Sequence, residues 1–426
     1  RAVELDPGFA LPYVSLAVIY RDLGRQAQAQ EAAQRAFDRR DALDARERLV
    51  VAAVYHETMG DLEKAVQAYD LWQRTYPRNS SPLRQLSLMA TRLGDHQKAL
   101  AQALEAFRKG PRTEIYHVPV AIDFLNLNRF KDAEIILEEA QRRGFQGESI
   151  LAGRYQAAFL KSDGSGMIKM LAASLGNPGA EDLLLALQAD TEAWHGRLRT
   201  AGETTRRAID SARRHGAAET AAAYLAVSAL RELESGNARQ AVENVKEAMQ
   251  TAPSPLVSEM AAIVFARTGD TKEAQRLAAD LERQLPVDTL VHRYWLPSIR
   301  AAGALAGKDP KGAVEFLKES SSVELSAPTP LQIALIPAYL RGQAFLMQRD
   351  GKAAAAEFQK FDTYRGLVGN FPLGALARLH LARASAMDGQ DGKARVLYQS
   401  LLTIWNQADP DLSVLQQARA ELDKLQ

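Results

Sequence analysis

The sequence predicts an all-α solenoid of about eleven helical hairpins that ends in a capping helix. Three observations predict this fold class: alanines recur at a nearly constant spacing, glycines recur where helices should turn, and prolines end helices in the same phase. The length agrees with it, because 426 residues exceed the usual size of one compact core, whereas a repeat array grows by adding units. No strands are expected.

The clearest hairpin predicts two amphipathic helices, Pro82–Leu93 and Gln97–Lys109. Between them, Gly94 can adopt the left-handed conformation that ends a helix, and Asp95 can accept hydrogen bonds from the free N–H groups of the next helix. Pro111 cannot continue the second helix. Alanines three and four residues apart give that helix a face without bulk, so its partner can approach closely.

The small residue in the first turn of each second helix measures the repeat. It recurs at Ala29, Ala65, Ala99, Ala133, Ala201, Ala241, Ala274, Ala313, Ala356 and Ala394. The successive gaps are 36, 34, 34, 68, 40, 33, 39, 43 and 38 residues. Because 68 is twice 34, a diverged unit is expected in the long gap, with Met167 at the small-residue position. This unit completes the eleven hairpins.

Turn residues recur in the same register. The residues expected to close first helices are Gly24, Gly60, Gly94, Asn128, Gly196, Gly236, Gly269, Gly351 and Gly389. Capping residues follow several of them, and Asn237 and Asp270 each precede a Gln or Glu at the spacing of a capping box. The repeats therefore share turn chemistry as well as length.

The first unit carries a specific pattern of residues. The pattern comprises Tyr13, Leu16, Ala17, Tyr20, Gly24, Ala29, Ala33 and Ala36. With the period of 34, it resembles the tetratricopeptide repeat (TPR). The resemblance covers nearly the whole chain and implies a right-handed superhelix, with first helices along a concave groove and second helices on the convex side.

The array is expected to divide into five segments. They are an N-terminal block (1–145) that starts mid-repeat, a diverged repeat and candidate hinge (146–180), a central block (181–290), a C-terminal block (291–411) and a capping helix (412–426). The first seven residues look like the end of a second helix, so we expect the natural protein to extend upstream. The hinge is expected because four glycines weaken the helices around Met167.

Composition limits the classes of partner. Lys and Arg number 53 and Asp and Glu 52, so no general attraction to nucleic acid or to membranes is predicted. There are no cysteines, which excludes disulfides, thiolate zinc sites and cysteine nucleophiles. We expect no membrane contact by this chain. Its compartment stays open between the cytoplasm and, if a membrane span lies upstream, the periplasm, and the oligomeric state is also open.

Catalytic and metal-binding motifs are not found. There is no phosphate loop, HExxH, nucleophile-elbow serine or EF-hand spacing, and the seven histidines are scattered singly. The runs Gly164–Gly166, Gly351-Lys352 and Asp388–Gly392 are interpreted as hairpin turns. We therefore expect no cofactor, no metal and no enzymatic activity in this chain.

The groove is the remaining candidate site. In the TPR register its inward positions include Arg84, Arg92, Arg267, Arg341, Arg349 and Arg383, together with Val14, Val18, Val50, Val54, Val118 and Ile122. Arginines suit the capture of carboxylate or phosphate, although pairing with acidic residues of adjacent helices is the favoured alternative. The apolar residues replace the lysine and asparagine clamp of chaperone-binding TPRs. They would accept an amphipathic helix or extended segment.

The C-terminal third has a narrower resemblance. The runs Leu285–Thr289, Tyr294–Ile299, Tyr339–Ala344, Ala356–Lys360 and Leu402–Asp411 look like the TPR region of certain bacterial serine/threonine protein kinases. The resemblance implies a non-catalytic scaffold or sensory docking region of a larger signalling protein, whose partner is a protein, a peptide or the parent's own output domain. The alternative is a regulatory repeat domain that binds a peptide or small anionic molecule in the groove.

Overall fold

The computed structural model describes residues 8–110, 113–327 and 333–425. In these ranges the chain forms eleven helical hairpins and a final helix, without a β-strand. The paired helices of repeats 1 to 6 are Ala10–Asp22 and Gln26–Asp38, Ala45–Thr58 and Leu62–Thr75, Ser81–Leu93 and His96–Lys109, Glu114–Asn126 and Phe130–Arg142, Glu148–Leu160 and Gly164–Ser174, and Ala180–Trp194 and Leu198–Arg214. Those of repeats 7 to 11 are Ala218–Glu234 and Ala238–Thr251, Pro255–Thr268 and Thr271–Gln284, Leu296–Ala306 and Pro310–Phe316, Ile336–Met347 and Gly351–Thr363, and Leu373–Met387 and Asp391–Ile404.

The predicted turn chemistry is present in most repeats. Gly60 and Gly94 have φ angles of 81° and 84°, and the Asp61 and Asp95 carboxylates accept hydrogen bonds from the N–H groups three residues on. Asp270 caps its helix in the same way, but Asn237 does not cap, because its amide donates instead to Glu232 Oε2 at 2.7 Å. The motif at residues 1–7 and Pro111 lie outside the described residues.

The register predicted for repeat 10 was wrong by two residues. Ala354 is fully buried in the first turn of the second helix, whereas Ala356 is exposed. The left-handed residue of this turn is Arg349, with φ of 59°, and Gly351 is already the first residue of the next helix. Four consecutive alanines and a nearby glycine made the two registers indistinguishable by residue type. Arg349 therefore lies exposed in the turn and does not point into the groove.

Repeats 5 and 9 depart from the regular hairpin. The second helix of repeat 5, Gly164–Ser174, has 11 residues and buries only Met170 and Ser174. In repeat 9 a π-helical turn, Val291–Trp295, precedes the first helix, and the short second helix continues as a 3-10 helix, Leu317–Ser322. A short helix, Arg365–Val368, lies between repeats 10 and 11.

The predicted capping helix forms over Ser413–Asp423 and buries Leu415, Ala418 and Leu422. Arg383 of the preceding repeat holds it by an ion pair with Glu421, Nε to Oε2 at 2.9 Å. The last repeat therefore does not leave its apolar face open.

Most of the bulky residues pack between helices, as expected. Trp72, Tyr155, Phe265, Trp295, Phe358 and Trp405 are buried, and Tyr20, Phe107 and Trp194 are half-buried. The largest core contains residues of repeats 2 and 3 together with residues of repeats 6 to 11, whereas repeats 4 and 5 have separate cores. Repeats far apart in sequence are therefore packed together.

Candidate functional site

The N-terminal part of the groove brings together residues at two repeated positions of the first helices. The first position is occupied by Val14, Val50, Arg84 and Val118 in repeats 1 to 4, and the second by Val18, Val54, Leu88 and Ile122. Val14 and Val54 are only 9% and 6% exposed and belong to the core of repeats 1 and 2. The structure corrects the prediction for these two valines, because they hold neighbouring helices together and offer no free surface.

The other residues at these positions are half-buried. Together with Arg92, one helical turn beyond Leu88, they form what we call the inner strip. The inner strip consists of Val18, Val50, Arg84, Leu88, Arg92, Val118 and Ile122. It combines apolar side chains with two cations that lie on one helix, Ser81–Leu93.

Arg84 lies next to an ionic cluster without joining it. Arg21 Nη1 pairs with Glu57 Oε1 at 2.7 Å, and Arg21 Nε lies 3.8 Å from Asp22 Oδ1. Tyr69 also donates to Glu57. Among the described residues Arg84 has no ion pair or hydrogen bond of its side chain, so its guanidinium donors remain free.

Arg92 lies near two buried acids. Burial raises the pKa of Glu259 well above its usual range, the neighbouring Asp288 raises it further, and Arg92 lowers it. Burial also raises the pKa of Asp288. Arg92 makes no ion pair within the described ranges. Arg92 lowers the pKa of Asp288 as well, so its charge acts on both acids.

The inward arginines of the C-terminal half are paired internally, as the favoured alternative predicted. Arg267 Nη1 lies 3.2 Å from Glu234 Oε1 and donates to Gln343 Oε1 at 2.7 Å. Arg341 pairs with Glu324 and with Glu357, and Arg383 pairs with Glu421. The Arg267 contacts join the first helices of repeats 7, 8 and 10. Arg341 instead pairs with Glu324 of the preceding segment and with the second helix of its own repeat, and Arg383 pairs with the capping helix.

Two buried ionisable residues escaped prediction from the sequence. Asp123 is 1% exposed, and burial raises its pKa to about 7, although hydrogen bonds from Thr91 Oγ1 (2.8 Å) and Ser87 Oγ (3.2 Å) oppose the shift. Burial lowers the pKa of His380 to about 3, next to the Tyr339 hydroxyl at 3.1 Å. Both belong to packed interfaces between repeats.

The described residues contain no group of His, Cys, Asp or Glu that could hold a metal ion. In the same ranges no helix combines the length and apolar character that crossing a membrane requires.

Residues 11–42 match the model of the tetratricopeptide repeat family. Residues 11–42 therefore carry a tetratricopeptide repeat. This repeat implies a protein–protein interaction scaffold, and the all-α solenoid is of the TPR type. No curated protein sequence matches the chain.

Solved structures with a similar arrangement of the chain include the following three. Yeast Tom70 has 12% identity and a TM-score of 0.32 over 88% of this chain and 94% of that chain. The human IFIT1 dimer with m7Gppp-AAAA has 15% identity and a TM-score of 0.43 over 86% and 85%. The P58(IPK) TPR domain has 11% identity and a TM-score of 0.27 over 90% and 98%.

Proposed function

We propose that this TPR array is a non-catalytic scaffold that docks a protein partner on the inner strip. The observation that carries the proposal is the contrast between the two halves of the groove. Arg267, Arg341 and Arg383 are used in internal ion pairs, whereas Arg84 and Arg92 keep their donors free among the described residues.

The spacing on the strip suggests the chemistry of the partner. Arg84 and Arg92 are eight residues apart on one helix, which places their Cα atoms about 12 Å apart along its axis, with Leu88 between them. A segment with an apolar residue between two acidic groups complements this pattern. Each guanidinium can hold a carboxylate by two parallel hydrogen bonds.

Charge reversal tests this proposal. Arg84→Glu combined with Arg92→Glu should abolish capture of the partner by the array, measured by quantitative pull-down from cells that express the natural protein. Arg395→Glu combined with Arg419→Glu is the matched control, because both residues are exposed and lie outside the groove. Equal capture by both variants would remove the inner strip as the docking surface.

We also propose that the array belongs to a larger bacterial signalling protein, a serine/threonine kinase. Support comes from the five runs between Leu285 and Asp411 that resemble kinase-associated TPR regions. Docking would hold a substrate, or the output domain of the parent, at high effective concentration. Sequencing the natural gene upstream of Arg1 tests this part: a lysine-bearing strand and an HRD-type loop are expected, and a different domain would refute it.

The alternative role is binding of a small anion. Arg92 favours it, because its guanidinium makes no ion pair among the described residues and suits capture of an anion. Calorimetry with inorganic phosphate and with pyrophosphate would show stoichiometric binding in this case, lost in Arg92→Gln. Absence of heat with both anions would leave the protein partner as the occupant of the strip.

A further inference from the structure

Four segments between the C-terminal repeats reach across to the turns of the N-terminal repeats. We call them struts; they are residues 285–290, 323–327, 363–372 and 405–412, which lie before repeats 9, 10 and 11 and before the capping helix. In repeats 1 to 8 the connections between hairpins contain three to six residues, whereas the struts lie in connections of 8 to 19 residues, which are partly helical. The extra length is thus placed where the chain bridges two parts of the array.

The first strut is seated on the turn of repeat 2. The Thr289 N–H donates to the Gly60 carbonyl at 2.9 Å, and the Leu62 N–H donates to Thr289 Oγ1 at 3.1 Å. The Asp288 carboxylate covers Gly60 so closely that a Cβ there would lie 2.0 Å from Asp288 Oδ2. Only glycine fits beneath this strut.

The second strut meets the turn of repeat 3. Ser326 Oγ donates to the Arg92 carbonyl at 2.5 Å, and His96 Nε2 lies 2.8 Å from the Leu325 carbonyl oxygen. A Cβ on Gly94 would lie 2.9 Å from the Leu325 carbonyl carbon. The strut therefore covers the C-terminal end of the helix Ser81–Leu93, which carries Arg84, Leu88 and Arg92 of the inner strip.

The Asn128 side chain connects the third strut to the turn of repeat 4. The amide of Asn128, the left-handed residue in the turn of repeat 4, donates to the Thr363 carbonyl at 2.7 Å and accepts from the Gly366 N–H at 2.7 Å. On the same strut, Arg365 Nη2 donates to the Leu160 carbonyl of repeat 5 at 2.8 Å.

The fourth strut meets the turn of repeat 6. The Asp409 N–H donates to the Gly196 carbonyl at 3.0 Å, and Asp409 Oδ2 accepts from the Arg199 N–H at 3.0 Å. Trp405 Nε1 donates to the Trp194 carbonyl at 3.0 Å. All four struts thus use backbone groups of the turns.

The core shows what this bridging achieves. Leu62 and Met89 of repeats 2 and 3 share one core with Leu290 and Trp295 of repeat 9, although repeats 4 and 5 between them have separate cores. Repeats 2 and 3 are therefore joined to the C-terminal half through the struts as well as through their neighbours in sequence. The superhelix is closed on itself.

We propose that the four struts form a latch that holds the superhelix closed, with repeat 5 as the hinge on which it opens. The struts hold the turns by these hydrogen bonds and by apolar residues that they bury in the shared core, such as Leu290, Val323 and Phe371. Repeat 5 is the least tightly packed repeat, because its second helix is short and the side chains of Ile168 and Leu175 are 68% and 61% exposed. Opening frees the Arg92 end of the inner strip, so the latch controls access to it.

Spin labels can measure the latch directly. The chain has no cysteine, so Lys98→Cys and Glu319→Cys, both at exposed positions of repeats 3 and 9, give one specific label pair. The strut variant combines Thr289→Val, Ser326→Ala and Asn128→Gly, and glycine retains the left-handed turn at the last position. Electron–electron double resonance should give one narrow distance distribution in the wild type and a broad one, shifted to longer distances, in the strut variant.

The matched control combines Thr403→Val, Ser321→Ala and Arg349→Gly. Thr403 and Ser321 donate only to carbonyls within four residues, and Arg349 is a left-handed turn residue outside the struts. Its distribution should equal that of the wild type. An unchanged distribution in the strut variant, or a broad one in the wild type, would overturn the latch. Should the triple variant lose helicity by circular dichroism, Asn128→Gly alone is measured, and its unchanged distribution would be equally decisive.

Discussion

Substitution of Gly60 by alanine should be far more costly than the same substitution of Gly269. Both glycines end a first helix in the left-handed conformation, with φ of 81° and 90°. Alanine in this conformation costs about 1–2 kcal/mol at either site. The sites differ in their surroundings: the Asp288 carboxylate covers Gly60, whereas no described atom lies within 4 Å of a Cβ placed on Gly269.

The extra cost at Gly60 follows from the contacts that must move. A new Cβ would lie 2.0 Å from Asp288 Oδ2 and 2.8 Å from Asp288 Cβ, so the strut has to shift. The shift breaks the two hydrogen bonds that Thr289 makes with the turn. At about 0.5–1.5 kcal/mol for each bond, Gly60→Ala should lose a further ~1–3 kcal/mol. The total is about 2–5 kcal/mol, against about 1–2 kcal/mol for Gly269→Ala.

Urea unfolding followed by circular dichroism measures the free energy of unfolding of the two variants and the wild type. Hydrogen exchange measures the protection of the individual amides in the turn. Exchange matters because repeat arrays need not unfold in a single step. Faster exchange of the Leu62 and Thr289 amides is expected in Gly60→Ala and not in Gly269→Ala. Equal losses of stability, with both amides still protected, would refute the seating of the first strut.

Three further predictions concern packing and charge. Ala99→Leu should lose about 1–3 kcal/mol by overpacking a fully buried site, whereas Ala101→Leu on the exposed face of the same helix should change the urea midpoint little. Val54→Arg should unfold the first two repeats by burying an unpaired charge, seen as lost protection of their amides. Burial raises the pKa of Asp123 from 3.8 to about 7, so the contribution of this group to the free energy of unfolding is complete below pH 4 and is lost as pH rises through 7. At three pKa units this contribution amounts to about 4 kcal/mol. Asp123→Asn should therefore flatten the decline in stability that urea unfolding measures between pH 5 and 8.

The hairpins could be predicted because local chemistry specifies them. Glycine, aspartate and buried alanine recur in one phase, and most helix ends fall within a residue or two of where turn chemistry places them, as at Leu93 and Lys109. The register failed in repeat 10, where Ala353 to Ala356 supply the same small side chain at four adjacent positions. Burial alone distinguishes Ala354 from its neighbours.

The candidate site was harder to predict, because a register position does not reveal what faces it. Arg92 and Arg267 occupy the same inward position, two residues before the turn glycine, yet Arg267 meets Glu234 and Gln343 while Arg92 has no ion pair among the described residues. The difference arises from helices that are far apart in sequence. The struts were hidden for a related reason, since they bind the turns mainly through backbone groups that every residue type carries.

The repeat spacing is longer around the struts, but it is equally long, 40 residues, between repeats 6 and 7, where two helices of 17 residues account for it. Between repeats 1 and 6 the small residues are 34 to 36 residues apart on average for each unit, whereas the spacing around repeats 9, 10 and 11 is 39 to 41 when measured from Ala354. The added residues lie mostly in the long connections that close the array, and closure brings first helices of repeats 7, 8, 10 and 11 into mutual contact. Arg267 lies between those helices and pairs internally with Glu234 and Gln343. Arg92 lies near Glu259 on the first helix of repeat 8, yet among the described residues neither Arg92 nor Arg84 has an ion pair, and this is the difference between the two halves of the groove.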